Sequence, residues 1–268
     1  MTEHALDTSH AHHHDESSIF PFVTGPGVAL MLFGIATTWN QFSWGPACIL
    51  LGLATALVGM IGWWWELVQA NKKDEVTLIG TPEEARRGLK IGFGFFIGSE
   101  VMFFAAFFAF YFYSRFHSPS WPPPGYERLP IPPALLNTAL LVASGICYHF
   151  AEHGMIHKKA RMQTIGLFAV ALLLGLTFLG VQGNEWYTLM FKEGFRIYDG
   201  TMGTAFYLLT GFHGAHVIIG ATFIAVILIR TILGHFTPHK HFAMTVAGWY
   251  WHFVDVVWIG LVLCLYIF

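Results

Sequence analysis

Seven stretches of the chain are apolar on all sides rather than on one face: about 21 to 42, 46 to 69, 89 to 115, 133 to 154, 163 to 186, 200 to 229 and 243 to 268. A bilayer core about 30 Å thick takes about 20 such residues per crossing helix, so each stretch is predicted to span, some with tilt. The expected fold class is an all-α membrane protein with seven transmembrane helices. Ahead of them, residues 1 to 18 hold His4, His10, His12, His13 and His14 with Asp7, Asp15 and Glu16 and show no apolar period. That composition predicts a disordered His-rich tail rather than a core, with a weak metal-binding tract as its less favoured reading. It does not read as a signal peptide, because no basic start leads into a short apolar run and a small-residue cleavage site. Residues 19 to 268 are then one transmembrane domain.

The connections orient the helices, because Lys and Arg accumulate in short loops on the cytoplasmic side. Lys72, Lys73, Arg86, Arg87, Lys90, Lys158, Lys159, Arg161, Arg230 and Lys240 fall on one side, and Arg115, Arg128, Lys192 and Arg196 on the other, which accounts for all 14. The N-terminus is therefore expected inside and the C-terminus outside, as an odd number of spans requires. On the outer side, HSPSWPPPGYERLPIPP at 117 to 133 is too rich in proline to stay helical and is predicted to be a semi-rigid extended connection. Trp121 and Tyr126 suit the interfacial aromatic belt.

Composition agrees with the membrane reading: 55% of residues are hydrophobic and 11% charged, and the net charge is -2. A soluble domain carries about 25% charged residues. No basic field for nucleic acid exists. Cys48, Cys147 and Cys264 lie in apolar stretches without a C-x-x-C pair, so neither a disulfide framework nor a thiolate metal site is expected, and they read as small buried hydrophobes.

Ionised groups at the bilayer centre cost at least about 2.5 kcal/mol, which makes acids inside spans functional suspects. Glu100 sits near the middle of the third span and Asp255 near the middle of the last. Glu100 reads as a proton-exchanging carboxyl or as a neutral acid that only hydrogen-bonds. Asp255 has His252 and Trp258 at i-3 and i+3 on one helical face, so a structural Asp and His hydrogen bond is preferred to a proton relay. His213 and His216 in TGFHGAHVIIG either ligate haem or bond across helices, the second being favoured, with Gly211, Gly214 and Gly220 allowing close approach. HFAEH at 149 to 153 matches the inverted zinc-protease pattern only formally, with no third ligand in view. Trp63, Trp64 and Trp65 followed by Glu66 read as an interfacial anchor and lipid contact. There is no Gly-rich phosphate cradle, no G-x-S-x-G elbow, no Cys-rich copper or iron site and no lysine in the last span for a retinal Schiff base.

Five strings in order carry more than pattern: SEVMFFAAFFAFY at 99 to 111, WPPPG at 121 to 125, LLNTALLVASG at 135 to 145, DGTMGTAFYLLTGFHGAHVIIG at 199 to 220 and GWYWHFVDVVW at 248 to 258. From about residue 21 to the end the chain resembles the cytochrome c oxidase subunit III family of the haem-copper oxidases. The resemblance implies seven helices arranged as two plus five around a lipid-filled cleft, and a chain without haem or copper. Subunits I and II would hold those centres, reducing oxygen with electrons from cytochrome c. Subunit III would pack on subunit I, sustain proton uptake and protect the site from inactivation. Glu100 matches the family's membrane-embedded glutamate near the cleft, and Arg230 and His235 match basic residues that hold lipid phosphate. Trp63, Trp64 and His216 complete the expected lipid set, while Glu100, Asp255 and His252 form the expected proton-related set. The chain departs from the family at the end of the second helix, where Trp63, Trp64, Trp65, Glu66, Gln69 and Ala70 stand in place of W-W-R-D-x-x-R-E. Both arginines are missing. A usual histidine pair in the next loop is replaced by DEVTLIGTPEEARR at 74 to 87, and a usual carboxylate before the last helix by Thr245.

The expected function is accessory subunit III of an aerobic oxidase in a bacterial inner membrane or its equivalent, with phospholipid bound. Inner-surface histidines His149, His153, His235, His239 and His241 would join Glu100 in keeping protons available, since imidazoles titrate near neutral pH. The rivals are subunit III of a quinol oxidase, which shares the motifs but often has five helices, and a proton-coupled transporter using Glu100 and Asp255. The transporter reading lacks the internal repeats of that class.

Overall fold

The computed structural model describes residues 18–72, 82–123, 129–157, 161–236 and 241–268, with side chains throughout except at 67–72 and 82–86. The His-rich tail to residue 17, the stretch 73–81, Tyr126, Arg128, Lys158, Lys159, His239 and Lys240 lie outside the described residues. Seven long helices follow one another: α1 (Phe20–Trp39), α2 (Gly45–Lys72), α3 (Pro82–His117), α4 (Ile131–Ile156), α5 (Arg161–Phe191), α6 (Gly200–Ile232) and α7 (Phe242–Leu261). The last continues into a π-helical turn, Val262–Ile267. All seven are long and apolar enough to cross a membrane, so the chain is a multi-pass all-α membrane protein. In lipid the backbone is satisfied only by helices or closed barrels, and apolar stretches of about 20 residues, apolar on all sides, become helices.

Several helices outrun their apolar stretch. At about 1.5 Å per residue, the 36 residues of α3 rise about 54 Å, well beyond the hydrocarbon core. Helical hydrogen bonding continues into the interface, where hydropathy no longer marks it.

The helices fall into two compact units, Met1–Pro82 with α1 and α2, and Glu83–Phe268 with the body of α3 and with α4 to α7. In the first, α1 and α2 form a hairpin packed on glycines. A Cβ added to Gly27 would lie 2.5 Å from the backbone nitrogen of Ala56, and one added to Gly34 2.5 Å from that of Ile49. From the other side, Cβ atoms on Gly52 and Gly59 would strike the backbone of Met31 and Thr24. Small residues at seven-residue spacing thus let two backbones meet, as lipid-embedded pairs require.

In the second unit α7 is the hub. Half of its span is buried, against 6% for α3. Trp251, Trp258, Tyr148, Phe168, Phe178 and Leu209 fill the interior between α4, α5, α6 and α7. α3 joins through side chains: Phe104 meets Phe253, and the Tyr111 hydroxyl donates to the Cys264 carbonyl. Cys48, Cys147 and Cys264 are free and only half-buried, which corrects the expectation of full burial.

Candidate functional site

The mid-membrane acid on α3 meets a histidine on α6. Glu100 Oε2 lies 2.9 Å from His216 Nε2, both side chains largely shielded. The other imidazole nitrogen, Nδ1, is 2.7 Å from the Phe212 carbonyl one turn back. A carbonyl only accepts, so Nδ1 carries a proton. The Nε2 to Oε2 contact must then contain one further proton. It lies on the carboxyl, as neutral acid and neutral imidazole, or on the ring, as an ion pair. In either form the pair holds one exchangeable proton in a sleeve of rings: Phe104 at 4.9 Å, Phe103 at 6.0 Å and Tyr250 stacked at 6.3 Å from the imidazole. Phe103 and Phe104 come from the same string as Glu100, and Tyr250 from the last span, so three helices build the site.

The second expected acid stands apart. Asp255 Oδ2 is 3.4 Å from His252 Nδ1 on its own helix, and Oδ1 has no partner among the described residues. This is the local bond that i and i+3 spacing predicts. Gly145 on α4 is pressed against the Asp255 carboxyl, so the acid is walled in by backbone. Trp258 turns away to donate to Thr138 Oγ1 at 3.1 Å. His213, fully buried, directs Nε2 to the Val254 carbonyl at 3.2 Å. His213 and His216 therefore bond to different helices, as cross-helix packing predicts. Gly211 and Gly220 do admit the neighbouring Trp186 and Trp251, whereas Gly214 faces open space and admits nothing.

The expected lipid set is divided between the two units. Trp63 and Trp64 are exposed on α2 in the two-helix unit, while Glu100, His216, Arg230 and His235 belong to the five-helix unit. Arg230 lays its guanidinium 4.7 Å over the Phe236 ring and makes no hydrogen bond to a described residue. Its planar fork suits a phosphate. His235 follows the end of α6 with its backbone nitrogen on the Arg230 carbonyl at 3.0 Å. Arg161 instead closes the same helix end by donating to the Thr231 carbonyl at 3.1 Å and to that of Ile232.

At the end of α4, Glu152 Oε1 accepts from Thr245 Oγ1 at 2.7 Å. Where the resemblance leads one to expect a carboxylate before the last helix, the hydroxyl of Thr245 thus meets a carboxylate from α4. His153 stacks on His157 with ring centres 3.9 Å apart. Among the described residues no three His, Cys, Asp or Glu side chains gather to hold a metal ion.

Sequence reasoning missed a buried polar chain across α4, α5 and the terminal π turn. Asn137 Nδ2 donates to Gln182 Oε1 at 3.0 Å, and Gln182 Nε2 to Glu185 Oε2 at 3.0 Å. The Tyr266 hydroxyl donates to the same oxygen at 3.0 Å. Glu185 is 5% exposed. The signal is partial: Gln182 and Glu185 are three apart in α5, but they stand where its apolar run ends, unlike Glu100 at the middle of a span.

A multi-pass helical membrane protein is defined by these features, with its shielded acid and histidine bridging two helices at mid-membrane. Comparison with known proteins gives the particular family. The description of cytochrome c oxidase subunit III matches residues 10–268. Proteins called cytochrome c oxidase subunit 3 from Danio rerio and Pan troglodytes are each 41% identical over 266 residues, covering 96% of this chain and 97% of the relative. The counterpart from Oryctolagus cuniculus is 40% identical over the same span. This chain belongs to the cytochrome c oxidase subunit III family, the accessory subunits of that oxidoreductase complex.

Proposed function

We propose that this chain acts in the oxidase as a cofactor-free partner of subunits I and II, which hold the haem and copper and receive electrons from cytochrome c. The one-proton Glu100 and His216 pair carries this reading. A carboxyl and an imidazole that share a single proton, shielded by aromatic rings, can hold that proton near a catalytic subunit without leaving a bare charge in lipid. His149, His153, His235, His239 and His241 serve as proton-exchanging groups at the inner surface. Asp255 and His252 are a lesser proton-related pair. Phospholipid binds at Trp63 and Trp64 in the two-helix unit and, in the five-helix unit, at Glu100 and His216 with its phosphate at Arg230 and His235. The membrane is a bacterial inner membrane or its equivalent, with the N-terminus inside, supported by the placement of Lys and Arg along the sequence. The names of the relatives favour cytochrome c over quinol as donor, and family membership speaks against a free-standing transporter.

Glu100→Gln in the assembled oxidase tests the proton role. Glutamine keeps a hydrogen bond to His216 but cannot release its proton, so haem spectrum and subunit stoichiometry are expected to stay unchanged while activity decays several-fold faster during sustained turnover. Glu100→Ala should decay at least as fast. Inactivation and proton-pumping traces from both variants that overlay the parent enzyme would remove the proton role and leave a packing pair.

A further inference from the structure

We propose that the groove between α4 and α5, at the level where α4 begins and α5 ends, binds an amine-headed membrane amphiphile, its ammonium on Glu185 and its apolar chain along Leu136 and Val181. The groove encloses about 920 Å³ and lies within the five-helix unit. On α5 its wall runs from Thr177 to Leu189. That is about 18 Å at 1.5 Å per residue, close to the depth of one leaflet of a core about 30 Å thick. α5 spans Arg161–Phe191, so Thr177 lies near the bilayer midplane and Glu185 about 12 Å above it, toward the boundary of hydrocarbon and headgroups. Below, the wall is Thr177, Gly180, Val181 and Leu136; the acids and amide, Asn184, Glu185 and Glu193, all lie in its upper part.

Glu185 points to the ligand. Its Oε2 is taken by Gln182 and Tyr266, but its Oε1 is buried without a partner among the described residues. A buried acceptor left unpaired is costly, and Glu185 lines the groove, so a turn of its carboxyl toward the groove would give Oε1 a donor there. Charge fixes the kind of donor. Among the described residues no lysine or arginine lines the groove, and Glu193 stands at its mouth. The end of α5 adds the negative pole of its helix, which favours cations. Opposite, α4 opens Ile131, Pro132, Pro133, so two of the backbone N–H groups that would receive an anion are absent. An ammonium with N–H donors fits, and a quaternary head cannot supply the bond. Gly180 leaves the floor open, with no atom within 4 Å of an added Cβ.

The test uses the full chain in its purified complex, stripped of lipid and then offered phosphatidylethanolamine or phosphatidylcholine with identical chains, and counts retained lipid by native mass spectrometry. One ethanolamine lipid per chain is expected to bind about tenfold more tightly than the choline lipid, the value of one charge-assisted hydrogen bond. Glu185→Gln should erase that preference, and Gly180→Phe, which fills the groove without touching the carboxyl, should abolish retention of both. A photoreactive aminolipid should label peptides of α4 and α5. Equal retention of the two lipids by the parent chain overturns the proposal, as does retention unchanged by Gly180→Phe. Labelling elsewhere, or a partner subunit crosslinked in the groove, overturns it equally. None of these readouts depends on the proton role of Glu100.

Discussion

The Gly52→Val substitution is expected to split the α1 and α2 hairpin, while Gly25→Val in α1 leaves it intact. Lipid is as apolar as the helix surfaces, so no hydrophobic force holds this pair, and close packing of backbones must do so. Gly45, Gly52 and Gly59 recur every seven residues on α2 and press on Thr38, Met31 and Thr24 of α1, while Gly27 and Gly34, at the same interval on α1, press on Ala56 and Ile49. A side chain at Gly52 would run into the backbone nitrogen of Met31 and the carbonyl of Gly27, atoms that cannot rotate aside. The helices must move apart and forfeit contacts along the whole seam, at a cost of about 3 kcal/mol, the upper end for overpacking. Nothing lies within 4 Å of a Cβ at Gly25, so valine there meets open space. Titration of the purified chain with dodecyl sulfate, followed by tryptophan fluorescence, should show an early transition for Gly52→Val alone. Matching transitions for the two variants would mean the glycine seam does not hold the hairpin.

That seam illustrates what sequence conveys and what it hides. The seven spans are legible because water is absent: a helix in lipid must be apolar all round, and few soluble folds call for so long an uncharged run. Their ends are less legible, since α5 reaches Phe191 while its apolar run stops near 186. That shortfall makes Glu185 look like an interfacial residue rather than a buried one. Glu100 is legible from the cost of an acid in lipid, but its partner His216 is 116 positions away and only the fold brings the two together. Asp255 and His252 are legible as a pair because three residues along a helix is a fixed geometry. The glycine repeat at 27, 34, 45, 52 and 59 is written plainly, yet spacing alone does not say which helix it faces. The five family strings point to subunit III directly, and all but WPPPG lie on the helices that build the larger unit.

Trp251→Ala should loosen that larger unit more than any other single truncation in α7. The indole is fully buried and touches three helices at once. Its Nε1 donates to Ser144 Oγ on α4 at 3.1 Å, and that hydroxyl donates to the Ala171 carbonyl on α5 at 2.7 Å. The ring fills the gap left by two glycines: a Cβ at Gly175 on α5 would lie 2.8 Å from it, and one at Gly220 on α6 2.6 Å. In a soluble core such a truncation costs about 3–5 kcal/mol, part of it lost transfer from water. The transfer part falls away in a bilayer, so the cavity and the lost hydrogen bond leave about 3 kcal/mol. Trp251→Phe removes the hydrogen bond, about 1 kcal/mol because Ser144 keeps its own acceptor, together with part of the ring, so its cost should fall between about 1 kcal/mol and that of Trp251→Ala. Gly220→Ala overpacks the parent chain by about 1–3 kcal/mol but places its methyl in the cavity of Trp251→Ala. The double variant should therefore be more stable than the sum of the two predicts, by more than the ~0.5 kcal/mol expected between independent sites. Additive losses would show that the indole and Gly220 are not in contact. Because Trp251 fixes α6 against α7, its loss should also loosen His216 against Glu100. The turnover defect of Glu100→Gln should then be reproduced in part by Trp251→Ala, in a chain whose proton-holding groups are all present.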